Sequence, residues 1–389
     1  MQMNRRALLR AGVAAASVVA LSLSAWRNAL AGSALGPSPY GELGAADAFG
    51  LRLPSGFTAR CIAESGQLVP GTGYVWHIAP DGAATFATTD GGWIYVSNSE
   101  DNGARGGAGA LRFDASGNVI NAYPILSGTK YNCAGGATPW GTWLSCEEFR
   151  NGRVWECDPS GRRQATVHTA MGTFAHEAAV VDPRTGYVYL TEDDGNSRFY
   201  RFRPIVFGDL RFGTLEAAAV AGDGSVRWKA VSEKQPARDR DTSVFNRGEG
   251  AWFSEGVVYF CTTGDNRVWA LTLNGGGPGQ DRMEILYDAA LLGVDAPLRE
   301  PDNITVHARS GDIYCGEDSD DLQLVLLANA NGTRIAAPFM QLVGHDNSEV
   351  TGPTFSPDGS RLYVTSQRGT GRLYSSPGMV FEITGPFRR

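Results

Sequence analysis

Six times along the chain a turn residue is followed by a β-branched or aromatic run that ends on a polar, usually acidic, side chain. The copies occupy residues 92–100, 141–147, 186–192, 256–262, 311–317 and 359–367, and end on Glu100, Glu147, Glu192, Thr262, Glu317 and Gln367. Each run is short and mostly β-branched or aromatic, so the pattern predicts strands. Alternating stretches follow at 110–113, 153–156, 198–201, 267–270 and 372–374, and another precedes at 177–181. Strand, tight turn, strand and further strand, at intervals of roughly 45 to 70 residues, predict an all-β fold: a six-bladed β-propeller closed about a central channel. A solenoid of the same units would need distinct polar capping repeats, which the sequence lacks. The least repetitive stretch, 204–243, reads as a solvated excursion between blades.

Composition supports this picture, since 50 Gly and 19 Pro among 389 residues disfavour long helices. The first 31 residues stand apart. Arg5, Arg6 and Arg10 precede an apolar run over 11–26, and Ala29, Leu30 and Ala31 follow it. That is the layout of a removable export signal, and the paired arginines point to the twin-arginine route. The expected organisation is a signal peptide over 1–31 and one propeller domain over 32–389. Later apolar runs all fall short of the ~18 residues of a membrane span. The mature protein is therefore expected in the periplasm or secreted, delivered by the twin-arginine export machinery, with no stable membrane span and as a monomer. Removing Arg5, Arg6, Arg10 and Arg27 with the signal shifts the net charge from −7 to −11, which excludes general nucleic-acid binding. Six cysteines without a CxxC pair exclude a disulfide scaffold and a zinc ribbon.

In a propeller blade the two innermost strands form an antiparallel hairpin, so the start of the first and the end of the second meet at one end of the channel. Reading those positions gives Glu100 for the first blade; Cys133, Cys146, Glu147 and Glu148 for the second; and His176, Glu177, Glu192 and Asp193 for the third. The other three give Glu249 with Asp265, Asp302 with Glu317 and Asp318, and Glu349 with Gln367. A single Glu at a strand end is usually a solvated cap, but repetition in register is not. So many acids at one mouth repel one another and raise one another's pKa unless cations neutralise them. Oxygen-rich positions suit hard cations such as Ca2+, and a thiolate with carboxylates suits iron or zinc. Cys133 and Cys146 are equally open to a disulfide, a buried apolar role or metal ligation. His176 reads equally as a ligand or a structural histidine, and His77, His168, His307 and His345 as structural.

The segment from Asn132 to Glu148 resembles the most diagnostic block of the PhoX-type alkaline phosphatases. Residues 174–177, 189–193, 247–250, 301–303, 316–318 and 349–353 fall in the same order as that family's remaining blocks. The resemblance, over about residues 90 to 380, implies a twin-arginine-exported propeller with a polynuclear Fe3+ and Ca2+ site in its channel, hydrolysing small phosphate monoesters at alkaline pH. It further implies that Glu100, Cys146, Glu177 and Glu249 hold iron, and that Glu147, Glu148, Glu192, Asp193, Asp302, Glu317 and Asp318 are candidates for calcium. Arg247 is implied as the catalytic arginine that clamps phosphate, for which a planar guanidinium is suited. Two other readings remain open at this point: a calcium-dependent lactonase-like hydrolase, and a calcium-stabilised binding propeller without catalysis.

Overall fold

The computed structural model describes residues 34–103, 105–232, 241–274, 280–319, 321–330, 333–371 and 377–389. The export-signal reading of 1–31 and the strand expected at 372–374 lie outside these residues. The described residues form six sheets, antiparallel except where Ala34–Leu35 joins one of them in parallel. Their innermost strands are Pro80–Ala87 in blade 1, Asn132–Ala137 in blade 2, His176–Val181 in blade 3, Gly248–Ser254 in blade 4, Pro301–Val306 in blade 5 and Val350–Phe355 in blade 6. Each packs against the innermost strand of the next blade, and the sixth packs against the first, so the ring closes and removes its own edges. Blade 6 takes its outermost strand, Thr58–Glu64, from the early part of the chain, where it pairs with Met379–Thr384. Blade 5 is widened by Ala34–Leu35 and Leu51–Arg52 on its outer strand.

The apolar interior lies between blades, where inward-facing residues of adjacent sheets interdigitate. Phe199 of blade 3 stacks on Phe260 of blade 4 at 4.3 Å, and Trp93 of blade 1 donates to the Tyr363 hydroxyl of blade 6 at 3.0 Å. The excursion expected over 204–243 is much shorter. Tyr200–Val206, Asp209–Val220 and Val226–Ala230 continue blade 3 as its outer strands. Leu210, Leu215 and Ala217 are buried there, and the tight turn falls at Gly208, whose φ of +77° suits glycine.

Neighbouring innermost strands approach backbone to backbone near the axis. A Cβ on Gly82 would lie 2.5 Å from the Ala134 Cα, and one on Gly250 would lie 2.8 Å from the Asn303 Cα. Side chains at these positions would drive the blades apart. The close approach brings the strand starts of six blades together around one small volume.

Candidate metal centre in the channel

One register recurs in all six blades. The first residue of each innermost strand pairs with the last residue of the second strand: Pro80 with Ser99, Asn132 with Glu147, His176 with Glu192, Gly248 with Thr262, Pro301 with Glu317 and Val350 with Ser366. The ladder then slips by a β-bulge within the next few residues of every innermost strand. A bulge turns a side chain out of its normal alternation. In blades 1 to 5 the residue at that place is Asp81, Cys133, Glu177, Glu249 or Asp302; in blade 6 the second residue, Thr351, still pairs with Thr365 and the slip follows it, and all six are buried. One residue beyond the second strand stands a matching set: Glu100, Glu148, Asp193, Thr263, Asp318 and Gln367.

A third set forms the rim. The backbone N–H of each member of that matching set donates to Ala79, Tyr131, Ala175, Arg247, Glu300 or Glu349 respectively. Four of these six, Ala79, Tyr131, Arg247 and Glu300, have φ between +43° and +56°. A non-glycine residue in that region costs about 1 to 2 kcal/mol. The recurrence of this conformation at one position around the ring is the kind of strain that a surrounding site holds in place.

The two inner sets enclose a cavity of about 320 Å³ lined by Glu100, Tyr131, Cys133, Glu148, Glu177, Asp193, Arg247, Glu249, Asp302, Asp318 and Glu349. Three groups of donors within it have ligand atoms no more than 4.8 Å apart: Asp81, Glu100 and Cys133; Cys133, Glu148 and Glu177; and Glu177, Glu249 and Asp302. They form a chain across blades 1 to 5, joined by Cys133 and Glu177. Both carboxylate oxygens of Glu177 are buried without a hydrogen-bond partner. Burial, reinforced by Glu148 and Glu249, holds the Glu177 carboxyl well above the usual carboxylate range. Burial and the neighbouring Asp81 push Glu100 up to about 8, and burial pushes Asp81 up to about 6. Burial is also the main cause of the raised pKa of Glu148, Glu249, Asp302 and Glu349, followed by nearby carboxylates. The Cys133 thiol is raised by burial and then by Asp81 and Glu177. Without cations, ionising this set is strongly unfavourable; with them the same groups become a donor set of many hard oxygens and one soft sulfur. The orphaned Glu177 carboxylate and the three linked donor groups fit a site that holds metal ions.

Arg247 reaches into the cavity from the rim. Its Nε and Nη2 donate to the two oxygens of Asp193 at 2.9 and 3.1 Å, and Nη2 lies 3.4 Å from Glu249. Arg368 pairs with Glu349 on the opposite arc. Asn98 fixes the strand that carries the thiol. Its amide donates to the carbonyls of Cys133 and Ala134, while its oxygen accepts from Trp143 and Ser145.

The structure thus brings together Glu100, Glu148, Glu177, Asp193, Glu249, Asp302, Asp318 and Arg247 of the expected set. It does not bring in four others. Cys146 is fully buried in the apolar cluster between blades 2 and 3, beside Leu144, Ala179 and Leu190. Strand alternation turns it away from the axis, and the thiol that faces the cavity is Cys133. Glu147, Glu192 and Glu317 are the last residues of their strands and share another task. They accept from the backbone N–H groups of Arg153, Arg198 and Gln323, each six residues ahead, and so clasp the turn into the third strand. Glu192 also accepts from the Tyr200 hydroxyl at 2.8 Å, and Glu317 from the N–H of Arg299. Each acidic pair divides its labour: the first carboxylate holds the turn and the second faces the cavity. Asp265 pairs with Arg267 outside the cavity, and Thr263 takes the corresponding place in blade 4, donating to Glu249.

His176 is structural. Its ring stacks on Phe174 at 3.6 Å, Nε2 lies 3.1 Å from the Gly172 carbonyl, and burial lowers its pKa to about 3. Sequence reading missed Asp81 outright. The signal for it was positional, one residue into an innermost strand, as in Glu177, Glu249 and Asp302.

A family described as alkaline phosphatase PhoX matches residues 82–278. No curated protein matches the sequence. Among solved structures, the chain is similar to Pseudomonas fluorescens PhoX in complex with vanadate, a transition state analogue, with a TM-score of 0.66 and 17% identity over 88% of this chain and 97% of that one. It is also similar to XC5397 of Xanthomonas campestris, a gluconolactonase, with a TM-score of 0.52 and 13% identity over 90% of this chain and 99% of that one. At such identities these two likenesses speak to the propeller fold alone.

Proposed function

The chain belongs to the alkaline phosphatase PhoX family, and from that premise we propose that it hydrolyses phosphate monoesters at a polynuclear metal site in the acidic channel. The observation that carries the metal dependence is the Glu177 carboxylate, buried, unpartnered and shared by two of the three donor groups. Asp81, Glu100, Cys133, Glu148, Glu177, Glu249 and Asp302 would hold the ions. Iron at the end nearer the thiolate and calcium among the carboxylates match the donor preferences. When bound, such ions supply charge stabilisation for the transferring phosphoryl group and a nucleophilic oxygen at neutral to alkaline pH.

The remaining chemistry belongs to the chain's own groups. Arg247 is held at the cavity edge by its left-handed backbone and by Asp193, with its planar fork directed at carboxylate oxygens. A phosphate entering the cavity offers the guanidinium's other edge, Nη1 and the second N–H of Nη2, a bidentate partner of higher charge. Asp193 keeps the guanidinium in place before substrate arrives, and this preorganisation avoids an ordering cost at the moment of reaction. Asn98 and the bulges keep the donor atoms at fixed positions.

Two alternatives are less well supported. A lactonase-like reaction needs one cation, whereas three linked donor groups are present. A binding propeller leaves the family assignment unused. Export fits the arginine-bearing N-terminal segment, and a folded, metal-loaded protein would suit twin-arginine transport into the periplasm.

The test pairs elemental analysis with hydrolysis of p-nitrophenyl phosphate by the protein and by Arg247→Ala. Iron and calcium in both proteins are expected, with kcat/KM lower in the variant by about 10² to 10³, the loss typical of one oxyanion donor. Unchanged turnover in Arg247→Ala would remove Arg247 from the site. Metal-free protein with full turnover would remove the metal reading.

A further inference from the structure

A second cavity, of about 650 Å³, opens between blades 2 and 3 and shares Glu148 and Asp193 with the channel. Its volume lies in the range of small-molecule sites. Its other walls are chemically unlike the metal cavity. Phe149 and Arg150 come from the turn after the second strand of blade 2, and Asp194 and Asn196 come from the corresponding turn of blade 3. Phe149 is half-buried, whereas Arg150, Asp194 and Asn196 are exposed. Phe174, also in the lining, is almost wholly buried against His176 and Tyr200. Phe149 is therefore the aromatic surface this cavity can offer.

We propose that this cavity receives the leaving-group half of the phosphate monoester, and that Phe149 selects a ring-bearing leaving group, aryl or nucleoside, over a small acyl or alkyl one. The proposal rests on the phosphatase reading. Asp193 holds Arg247 on the channel side and walls the second cavity on the other. A phosphoryl group gripped by Arg247 therefore lies next to the wall that the two cavities share, with its bridging oxygen free to point toward the second cavity. In hydrolysis the oxygen of a water molecule forms a bond to phosphorus while the bond from phosphorus to the bridging oxygen breaks; the alcohol leaves with one of that water's protons, and inorganic phosphate stays in the channel. A ring on the departing alcohol can lie against Phe149, and its hydroxyl groups can meet Asp194 and Asn196. An acetyl group has neither a ring to lie against Phe149 nor hydroxyl groups for Asp194 and Asn196.

The test compares kcat/KM for p-nitrophenyl phosphate, adenosine 5′-monophosphate and acetyl phosphate in the metal-loaded protein and in Phe149→Ala and Phe149→Trp. Loss of one aromatic contact should lower kcat/KM about tenfold for the two ring esters in Phe149→Ala. Acetyl phosphate hydrolysis and the inhibition constant of inorganic phosphate should not change, and Phe149→Trp should restore the ring preference. Equal losses on all three substrates, or no loss on any, would overturn the proposal. A raised inhibition constant for phosphate in Phe149→Ala would do so too, since it would mean that the channel itself had shifted. If the unaltered protein hydrolyses none of the three esters, it is the phosphatase reading that fails.

Discussion

Blades 3 and 6 share the pairing of the first strand residue with the last residue of the second strand, but carry different chemistry around the channel. In blade 3 the second residue of the innermost strand stands in the bulge and faces the cavity; in blade 6 the second residue still pairs in the ladder, with its hydroxyl on Pro80 and Thr365, and the bulge follows it. In both, the residue after the second strand completes the pair. Blade 3 places Glu177 and Asp193 there; blade 6 places Thr351 and Gln367. All three donor groups draw on blades 1 to 5. At blade 6 the Gln367 amide instead donates toward Asp81, Glu100 and Glu349, at 2.6, 2.8 and 3.0 Å. A primary amide has two N–H groups, so it relieves part of the repulsion among three carboxylates without adding charge. The shared pairing supplies a position, and the residue type decides whether that position calls for a cation or takes the place of one.

The largest effect should come from removing the blade 3 donor. Glu177→Gln keeps the size of the side chain but removes the charge shared by two donor groups. It is expected to lower bound metal by elemental analysis and to reduce kcat/KM by more than about 100-fold, beyond the usual cost of losing an outer-shell partner. Thr351→Val at the equivalent place in blade 6 should leave metal content unchanged. Equal metal loss in the two variants would break the distinction between the blades.

A second effect concerns pH. Glu100 and Asp81 have folded-state pKa values raised to about 8 and about 6 from ordinary values of 4.5 and 3.8. Between those limits the metal-free folded state binds more protons than the unfolded state, so its stability falls as pH rises. Chelator-stripped protein should therefore lose melting temperature steadily from pH 5 to pH 8. Loaded protein should lose much less, because cations replace the protons. Parallel curves for the two forms would show that these carboxylates do not meet bound metal.

The smallest expected change is in blade 6 itself. Gln367→Glu replaces the amide donor with a fourth carboxylate beside Asp81, Glu100 and Glu349. In metal-free protein the melting temperature at pH 8 should fall by a few degrees, and added calcium should narrow the gap. A metal-free protein as stable as the unaltered one would mean that the amide contributes nothing to holding the acids together.

Much of this was legible in the chain. Short β-branched runs spaced by turns specify blades because alternation and turn chemistry are local properties, and six polar ends in register, four of them acidic, already point to a shared mouth. Which carboxylate of a pair faces the mouth was not legible. Glu147 and Glu148, Glu192 and Asp193, and Glu317 and Asp318 are adjacent in sequence and alike in chemistry. The last residue of the strand follows the ladder and clasps a turn, and the residue beyond it leaves the ladder and meets the axis. The same one-residue difference separates Cys133 from Cys146. In the short segment from 132 to 148 both thiols lie near a strand end, but the bulge turns Cys133 toward the cavity and regular alternation leaves Cys146 among apolar side chains.

The tripeptide Pro-Asp-Gly, which occurs twice, marks where the sequence stops deciding. At 357–359 it is a turn: Asp358 accepts from the N–H and hydroxyl of Ser360, and Gly359 has φ of +70°. At 80–82 it opens the innermost strand of blade 1, where Asp81 is fully buried within reach of Glu100 and Cys133 and Gly82 allows the blade 2 backbone to approach. The sequence by itself determined the strands, the number of blades and an excess of acid at strand ends, because each depends on neighbours a few residues away. Only the tertiary structure decided which acids converge, because convergence depends on bulges and on contacts between blades far apart in the chain.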